Sequence, residues 1–82
     1  MTLLDAKASL DRYVSRGIMP GGFLTAVLEN NLFEAIGRAD RTSLENLPEI
    51  CRYVYNNLPA TCWGSRAKVD LFLENFRTRG EP

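Results

Sequence analysis

The sequence predicts an all-α fold, a compact bundle of four to five short helices. Apolar residues recur at three- and four-residue spacing, no run alternates with the period of two that a strand requires, and cap residues separate the apolar stripes. The 82 residues contain neither an internal repeat nor a linker. We therefore expect one helical domain over 1–82, with 78–82 frayed at its end.

The first helix is predicted from the Thr2 cap to Arg16. Thr2 and Asp5 resemble a capping box. Gly17 suits the left-handed position after the helix, where Ile18 would fold back on Tyr13 as in a Schellman motif.

Two short helices are predicted next. Pro20 suits the first helical position of the second helix, and Asn31 with Glu34 satisfies the capping pattern of the third. The alternative is one bent helix through Asn30. The apolar residues are Phe23, Leu24, Val27 and Leu28 in the second helix and Leu32, Phe33 and Ile36 in the third.

Two starts are open for the fourth helix, Thr42 with Glu45 or Asn46 with Glu49. Pro48 favours the later start or a kink, since proline fits only a first turn without losing a hydrogen bond. The apolar stripe of this helix consists of Leu47, Ile50, Cys51, Val54 and Leu58. Cys51 is accordingly predicted to be a core residue.

Leu58-Pro59 ends the fourth helix, and residues 60–64 form a loop. Ser65 caps the last helix. The buried face of that helix is predicted to comprise Val69, Phe72, Leu73 and Phe76.

The composition excludes several functional classes. The chain has no histidine, and Cys51 and Cys62 alone cannot complete a four-thiolate site, so we expect no metal centre, no cofactor and no enzyme. Ten basic side chains balance ten acidic ones, which argues against general nucleic-acid binding. A chain this short buries only roughly 60–65% of its unfolded surface, so we expect a binding site in a surface groove or between subunits.

The N-terminal residues lack the basic region and apolar run of a signal peptide, so we expect a cytoplasmic protein without membrane contact. In a reducing compartment the two cysteines are expected to be free thiols.

An aromatic cluster is the first candidate binding site. Trp63, in the loop, either plugs the open end of the core or contacts a partner. Tyr55 and Asn56 lie beside the stripe of the fourth helix, and an exposed tyrosine near Trp63 would form a patch suited to an interface or to stacking on a base.

Two further sites could hold an anion. Ser65, Arg66 and Lys68 stand at one helix start, where free N–H groups attract phosphate or carboxylate, although Ser65 as a plain cap explains the same pattern. The second candidate comprises Gly21, Gly22 and Thr25, where paired glycines either admit a ligand or make a turn.

Arg38 closes the third helix and is predicted either to pair with Asp40 or to recognise a ligand. The remaining charged residues are typical of solvated helix faces, and no residue is assigned a catalytic role.

Several segments between Ile18 and Phe76 carry a resemblance to a family. They are Pro20 with Gly22-Phe23, residues 25–28 with Asn31-Leu32 and Glu34-Ala35, residues 37–40, residues 54–56 with Leu58-Pro59, and residues 62–65. In them the chain resembles small uncharacterised accessory proteins encoded by tailed phages and prophages. The last two segments are the more specific ones.

The resemblance implies a phage accessory role. Small non-enzymatic phage proteins often counteract host antiviral defence, either by sequestering a nucleotide immune signal as homo-oligomers or by blocking a defence protein. We expect the same here, with a homo-oligomer and either a nucleotide-type molecule or a host defence protein as partner. The alternatives are a small helix-turn-helix DNA-binding regulator and a structural or assembly adaptor.

Overall fold

The computed structural model describes the backbone of residues 1–80 and the side chains of residues 1–78. Five α-helices account for most of this part of the chain, which contains no strand. They are α1 (Leu3–Arg16), α2 (Gly22–Leu28), α3 (Leu32–Arg38), α4 (Arg41–Asn57) and α5 (Arg66–Gly80), with a 3₁₀ turn over Ala60–Cys62. The all-α prediction is confirmed. None of the described helices has the length and apolar character needed to cross a membrane.

All five helices and the 3₁₀ turn contribute to one hydrophobic core. The radius of gyration is 12.2 Å, close to the value of about 12 Å expected for a chain of this length. The largest fully buried side chain is that of Tyr13, which stacks at a tilt on Phe72 of α5 with 4.9 Å between ring centroids. The other buried apolar residues are Ala6, Leu10, Phe23, Leu24, Ala26, Leu28, Ala35, Ile50, Val54, Leu58, Cys62 and Val69.

The ends of α1 follow the sequence signals, with one correction. Thr2 and Asp5 form the predicted capping box. Gly17 has φ +65°, and its N–H donates to the Tyr13 carbonyl at 2.9 Å, which is the simpler αL cap and not the predicted Schellman motif. A Cβ on Gly17 would stand 2.6 Å from the Phe76 ring, so glycine also allows α5 to pack against this turn.

The second helix starts at Gly22, so the prediction that Pro20 opens it is wrong. The Thr25 hydroxyl donates to the Pro20 carbonyl at 2.9 Å, which holds the proline just outside the helix. Asn30 adopts φ +59° and ends α2, and Asn31 accepts from the Glu34 N–H at 3.3 Å. The two helices are therefore separate, as the capping pattern predicts.

The apolar residues of α3 do not join the core. Only Ala35 is buried, while Leu32, Ile36 and Phe33 are exposed, the last to 86%. At 100° per residue, these three side chains lie about 60°, 100° and 160° from Ala35 on one flank of the helix. The spacing thus predicts an apolar flank correctly, but that flank faces outward.

The fourth helix begins earlier than either predicted start. The Asp40 carboxylate accepts from the Ser43 N–H at 2.7 Å, and Ser43 is buried, so a cap at Asp40 fixes the first turn. Pro48 lies inside α4 without ending it. Cys51, predicted as a core residue, is exposed because it lies at the edge of the buried stripe.

The last helix has the predicted cap, since the Lys68 N–H donates to Ser65 Oγ at 3.1 Å. Val69 is buried, and Phe72, Leu73 and Phe76 are half-buried against the same core. The helix continues to Gly80, so 78–80 are helical. The rest of the segment expected to fray, Glu81 and Pro82, lies outside the described residues.

We predict that Tyr13→Phe lowers the free energy of unfolding by about 1–2 kcal/mol, because the Cys62 carbonyl loses a buried donor at 2.7 Å. Burial raises the pKa of this hydroxyl well above its ordinary value, so it stays a donor at all moderate pH values. Urea titration measures the change. Tyr55→Phe is the matched control, since that ring is 72% exposed. Equal stabilities for Tyr13→Phe and wild type would contradict the prediction.

A second prediction concerns acid stability. The Ser43 N–H and hydroxyl lower the pKa of the Asp40 carboxylate below its ordinary 3.8. Its stabilising effect is therefore present above that value and is lost as pH falls through the lower, folded-state pKa. Asn also caps helices but does not titrate there. The melting temperature of wild type, relative to Asp40→Asn, should stay constant between about pH 5 and pH 7 and fall below about pH 4. If the difference in melting temperature between wild type and Asp40→Asn stays constant down to low pH, titration of Asp40 does not affect stability.

Candidate functional site

Three hydrogen bonds hold the connection between α4 and α5. Tyr13 Oη donates to the Cys62 carbonyl at 2.7 Å, and the Gly64 N–H donates to the Leu28 carbonyl at 2.7 Å. Within the connection, Trp63 Nε1 donates to the Leu58 carbonyl at 3.2 Å. The connection is thus fixed to α1, to α2 and to the end of α4, which determines where the Trp63 ring lies.

A groove of about 330 Å³ opens beside this ring. Its volume falls at the lower end of the range of about 300–1,000 Å³ that is typical of small-ligand sites. Most of its walls are apolar or aromatic, and Arg52 gives the rim one positive charge. We call it the aromatic groove; its lining is Val27, Asn30, Cys51, Arg52, Val54, Tyr55 and Trp63.

Tyr55 and Trp63 form the aromatic wall of this groove. Their ring centroids are 5.8 Å apart and their planes are inclined by 58°. Trp63 is half-buried against the core, whereas Tyr55 is 72% exposed. Trp63 therefore packs against the core and also lines the groove, while its contact with a partner stays a prediction.

Two neighbours of Tyr55 on α4 line the groove although sequence reasoning did not select them as site residues. Cys51 and Arg52 precede Tyr55 by four and three residues, which is the spacing of one helix face. Although Cys51 as a residue is exposed, partial burial raises the pKa of its thiol, so this thiol is neutral at pH 7 and is a weak nucleophile. In the described part of the chain, no group of three or more cysteine and carboxylate side chains could hold a metal ion.

A second groove, of about 600 Å³, lies on the other flank of α3. It collects four of the predicted candidates, Gly22, Thr25, Arg38 and Arg66. Glu29 and Glu34 line it as well, so carboxylates and guanidinium groups balance. We call it the polar groove; its lining is Met19, Pro20, Gly22, Thr25, Ala26, Glu29, Asn31, Glu34, Arg38 and Arg66.

The cations of the polar groove already have partners. Arg38 Nε lies 2.7 Å from Glu34 Oε1, so the predicted pair between Arg38 and Asp40 is wrong. Helical spacing explains the choice, because residues four apart face each other within α3. Arg66 Nε lies 3.9 Å from Asp70 Oδ2. These pairs are exposed and weak, yet they leave the groove without a concentrated positive charge.

The remaining candidates do not converge on a ligand. Ser65 caps α5, and Lys68 Nζ extends toward the Ala60 carbonyl at 3.4 Å, away from Arg66 in the polar groove. Asn56 is exposed on α4 outside the aromatic groove. Gly21 occupies the cap position of α2 with open space around it. The structure thus divides the candidates between two grooves and leaves these four outside both.

Compared with known proteins, the chain matches no family model, no curated protein and no solved structure. Fold and grooves therefore define its class: an all-α bundle with one aromatic and one polar surface groove.

We predict that Gly64→Ala lowers the free energy of unfolding by about 1–3 kcal/mol, because Gly64 has φ +119°, which alanine adopts only with strain. The added Cβ would meet only Lys68, at 3.5 Å, so the cost is conformational. Gly21→Ala is the matched control; its φ of −59° and open surroundings should leave stability within about 0.5 kcal/mol of wild type. Urea titration followed by Trp63 fluorescence measures the stability of both variants. Equal losses of stability in Gly64→Ala and Gly21→Ala would contradict the strained backbone at Gly64.

Proposed function

We propose that this protein is a non-enzymatic phage-type accessory protein that counteracts host antiviral defence through the aromatic groove. It does so by sequestering a nucleotide immune signal or by blocking a defence protein. The observation that carries the proposal is the wall formed by Tyr55 and Trp63 beside apolar side chains and a single cation.

The chemistry of the groove favours a planar ring as the bound group. Tyr55 and Trp63 offer ring faces, and Val27 and Val54 offer aliphatic surface. Asn30 supplies hydrogen-bond donors and acceptors, and Arg52 a positive charge at the rim. A nucleobase meets these requirements, and so does an aromatic side chain of a partner protein, since aromatic residues are enriched in interface hot spots.

The phage assignment rests on the resemblance alone, and the most specific resembling segments lie beside the aromatic groove. Residues 54–56 contribute Val54 and Tyr55 to the aromatic groove, and residues 62–65 contribute Trp63. The resemblance therefore coincides with the groove and not only with turns.

The helix-turn-helix alternative receives no such support. Eight residues separate α4 from α5, against the usual three- or four-residue turn. The α5 helix also carries Asp70 and Glu74 on exposed positions, where DNA would repel them.

Trp63 is the one tryptophan of the chain, so its fluorescence reports on the groove directly. We expect quenching during titration with linear or cyclic adenine and guanine nucleotides, and a roughly 5- to 150-fold weaker affinity for Tyr55→Ala, the loss expected for one stacking contact. Tyr55 is exposed enough that this variant should fold normally, which circular dichroism checks.

Leu71→Ala is the control, because Leu71 is exposed on α5 outside the groove. If no nucleotide binds, native and denaturing mass spectrometry of complexes purified from infected cells should identify a host protein that Tyr55→Ala fails to retain. A captured partner or nucleotide that binds Tyr55→Ala as tightly as wild type would exclude the groove.

A further inference from the structure

A stripe of apolar side chains runs along one edge of α4; Leu47 packs partly against the core, and the other three residues are exposed. Its four residues follow one another at spacings of three, four and four, so they lie within about 80° of each other around the helix. They are Leu44, Leu47, Cys51 and Tyr55. Leu44 is 47% exposed and Tyr55 is 72% exposed. The stripe is therefore about 16 Å long and stands beside the buried face, not within it.

The apolar flank of α3 continues this stripe. Leu32 and Ala35 line a small cavity of about 60 Å³ together with Leu47 and Cys51, so the apolar side chains of α3 and α4 border one opening. Ile36 and Phe33 follow Leu32 outward on the same flank. We call the combined area the α3–α4 surface; it consists of Leu32, Phe33, Ile36, Leu44, Leu47, Cys51 and Tyr55.

Two charged residues border the α4 stripe on its outer side. Glu45 and Arg52 are seven residues apart, so they lie on the same edge of the helix about 10 Å from one another. Both are exposed, and neither forms an ion pair with any residue that the structure describes. Because their charges have opposite signs, this edge of α4 is complementary to the same edge of a second, antiparallel α4 helix.

We propose that the α3–α4 surface is a homodimer interface, in which the α4 helices of two copies pair antiparallel about a twofold axis near Pro48 and Glu49. In this pairing Glu45 of each copy faces Arg52 of the other, and Leu47 of each copy packs against Cys51 of the other. A twofold interface is isologous, so one surface that is complementary to itself suffices.

The size of the molecule is compatible with such an interface. A stable dimer buries about 800 Å² per partner, which is roughly one seventh of the 5431 Å² of this chain. Because the chain has zero net charge, no overall repulsion opposes the pairing. The ring of Phe33, exposed on α3, adds to this surface an aromatic side chain of the type that is enriched at protein interfaces.

The aromatic groove lies at the end of this interface, because Cys51, Arg52 and Tyr55 belong to both. The second copy would therefore close one side of the groove. The dimer itself does not depend on the proposed function, since it is measured without ligand.

Charge reversal tests the pairing. Sedimentation equilibrium of the wild-type chain should give a dimer of twice the 9.2 kDa chain mass. Glu45→Arg and Arg52→Glu should each weaken dimerisation by at least about tenfold, because each places like charges together at two points. The double variant with both reversals should restore dimerisation to within about threefold of wild type, since the complementary pairs return.

Two controls separate this interface from a general effect of surface charge or apolar area. Glu74→Arg reverses an exposed charge on α5 and should leave the dimer unchanged; Phe33→Ser should weaken it, and Leu71→Ser, on α5, should not. A chain that stays monomeric to millimolar concentration would overturn the proposal, as would a dimer that tolerates Glu45→Arg or a double variant that is not restored. If a monomeric variant still binds nucleotide, the proposed function holds although the dimer is lost.

Discussion

The position of Trp63 depends on how the connection between α4 and α5 is anchored. The hydroxyl of Tyr13, the largest fully buried side chain, donates to the Cys62 carbonyl, while the Gly64 N–H donates to the Leu28 carbonyl at the end of α2. Trp63 lies in sequence between Cys62 and Gly64, and its Nε1 donates to the Leu58 carbonyl at the end of α4. These three hydrogen bonds restrain the eight-residue connection, and a restrained aromatic side chain binds a ring at a lower entropic cost than a mobile one.

The third helix separates two surfaces of opposite character. It is seven residues long and buries only Ala35, so both of its flanks remain available. Glu34 and Arg38 pair on one flank at the polar groove, and the exposed leucine, isoleucine and phenylalanine side chains occupy the other. A helix that buries only Ala35 contributes little to the core, and the apolar residues on its flank are exposed. The proposed dimer would cover that flank.

The helices could be predicted because their ends carry local signals. The caps at Thr2, Asn31 and Ser65 and the left-handed Gly17 each act within a few residues, and all four are present. The start of α4 could not be predicted, because Pro48 dominates the sequence pattern while the cap at Asp40 is strengthened by the burial of Ser43, a tertiary contact. The aromatic groove was predicted in part: Tyr55 and Trp63 were selected, but Val27 and Asn30 reach it only through the packing of α2.

Cys51 illustrates why periodicity alone cannot separate core from interface. Its position at the edge of the α4 stripe places it about 60° from Val54 and 40° from Tyr55, between a buried and an exposed residue. In the amino-acid sequence, a core stripe and an interface stripe have the same spacing of apolar residues. Nine large apolar side chains of the described residues are exposed, and the proposed dimer would cover several of them. The small size that first argued against an internal cavity therefore favours a groove completed where two copies meet.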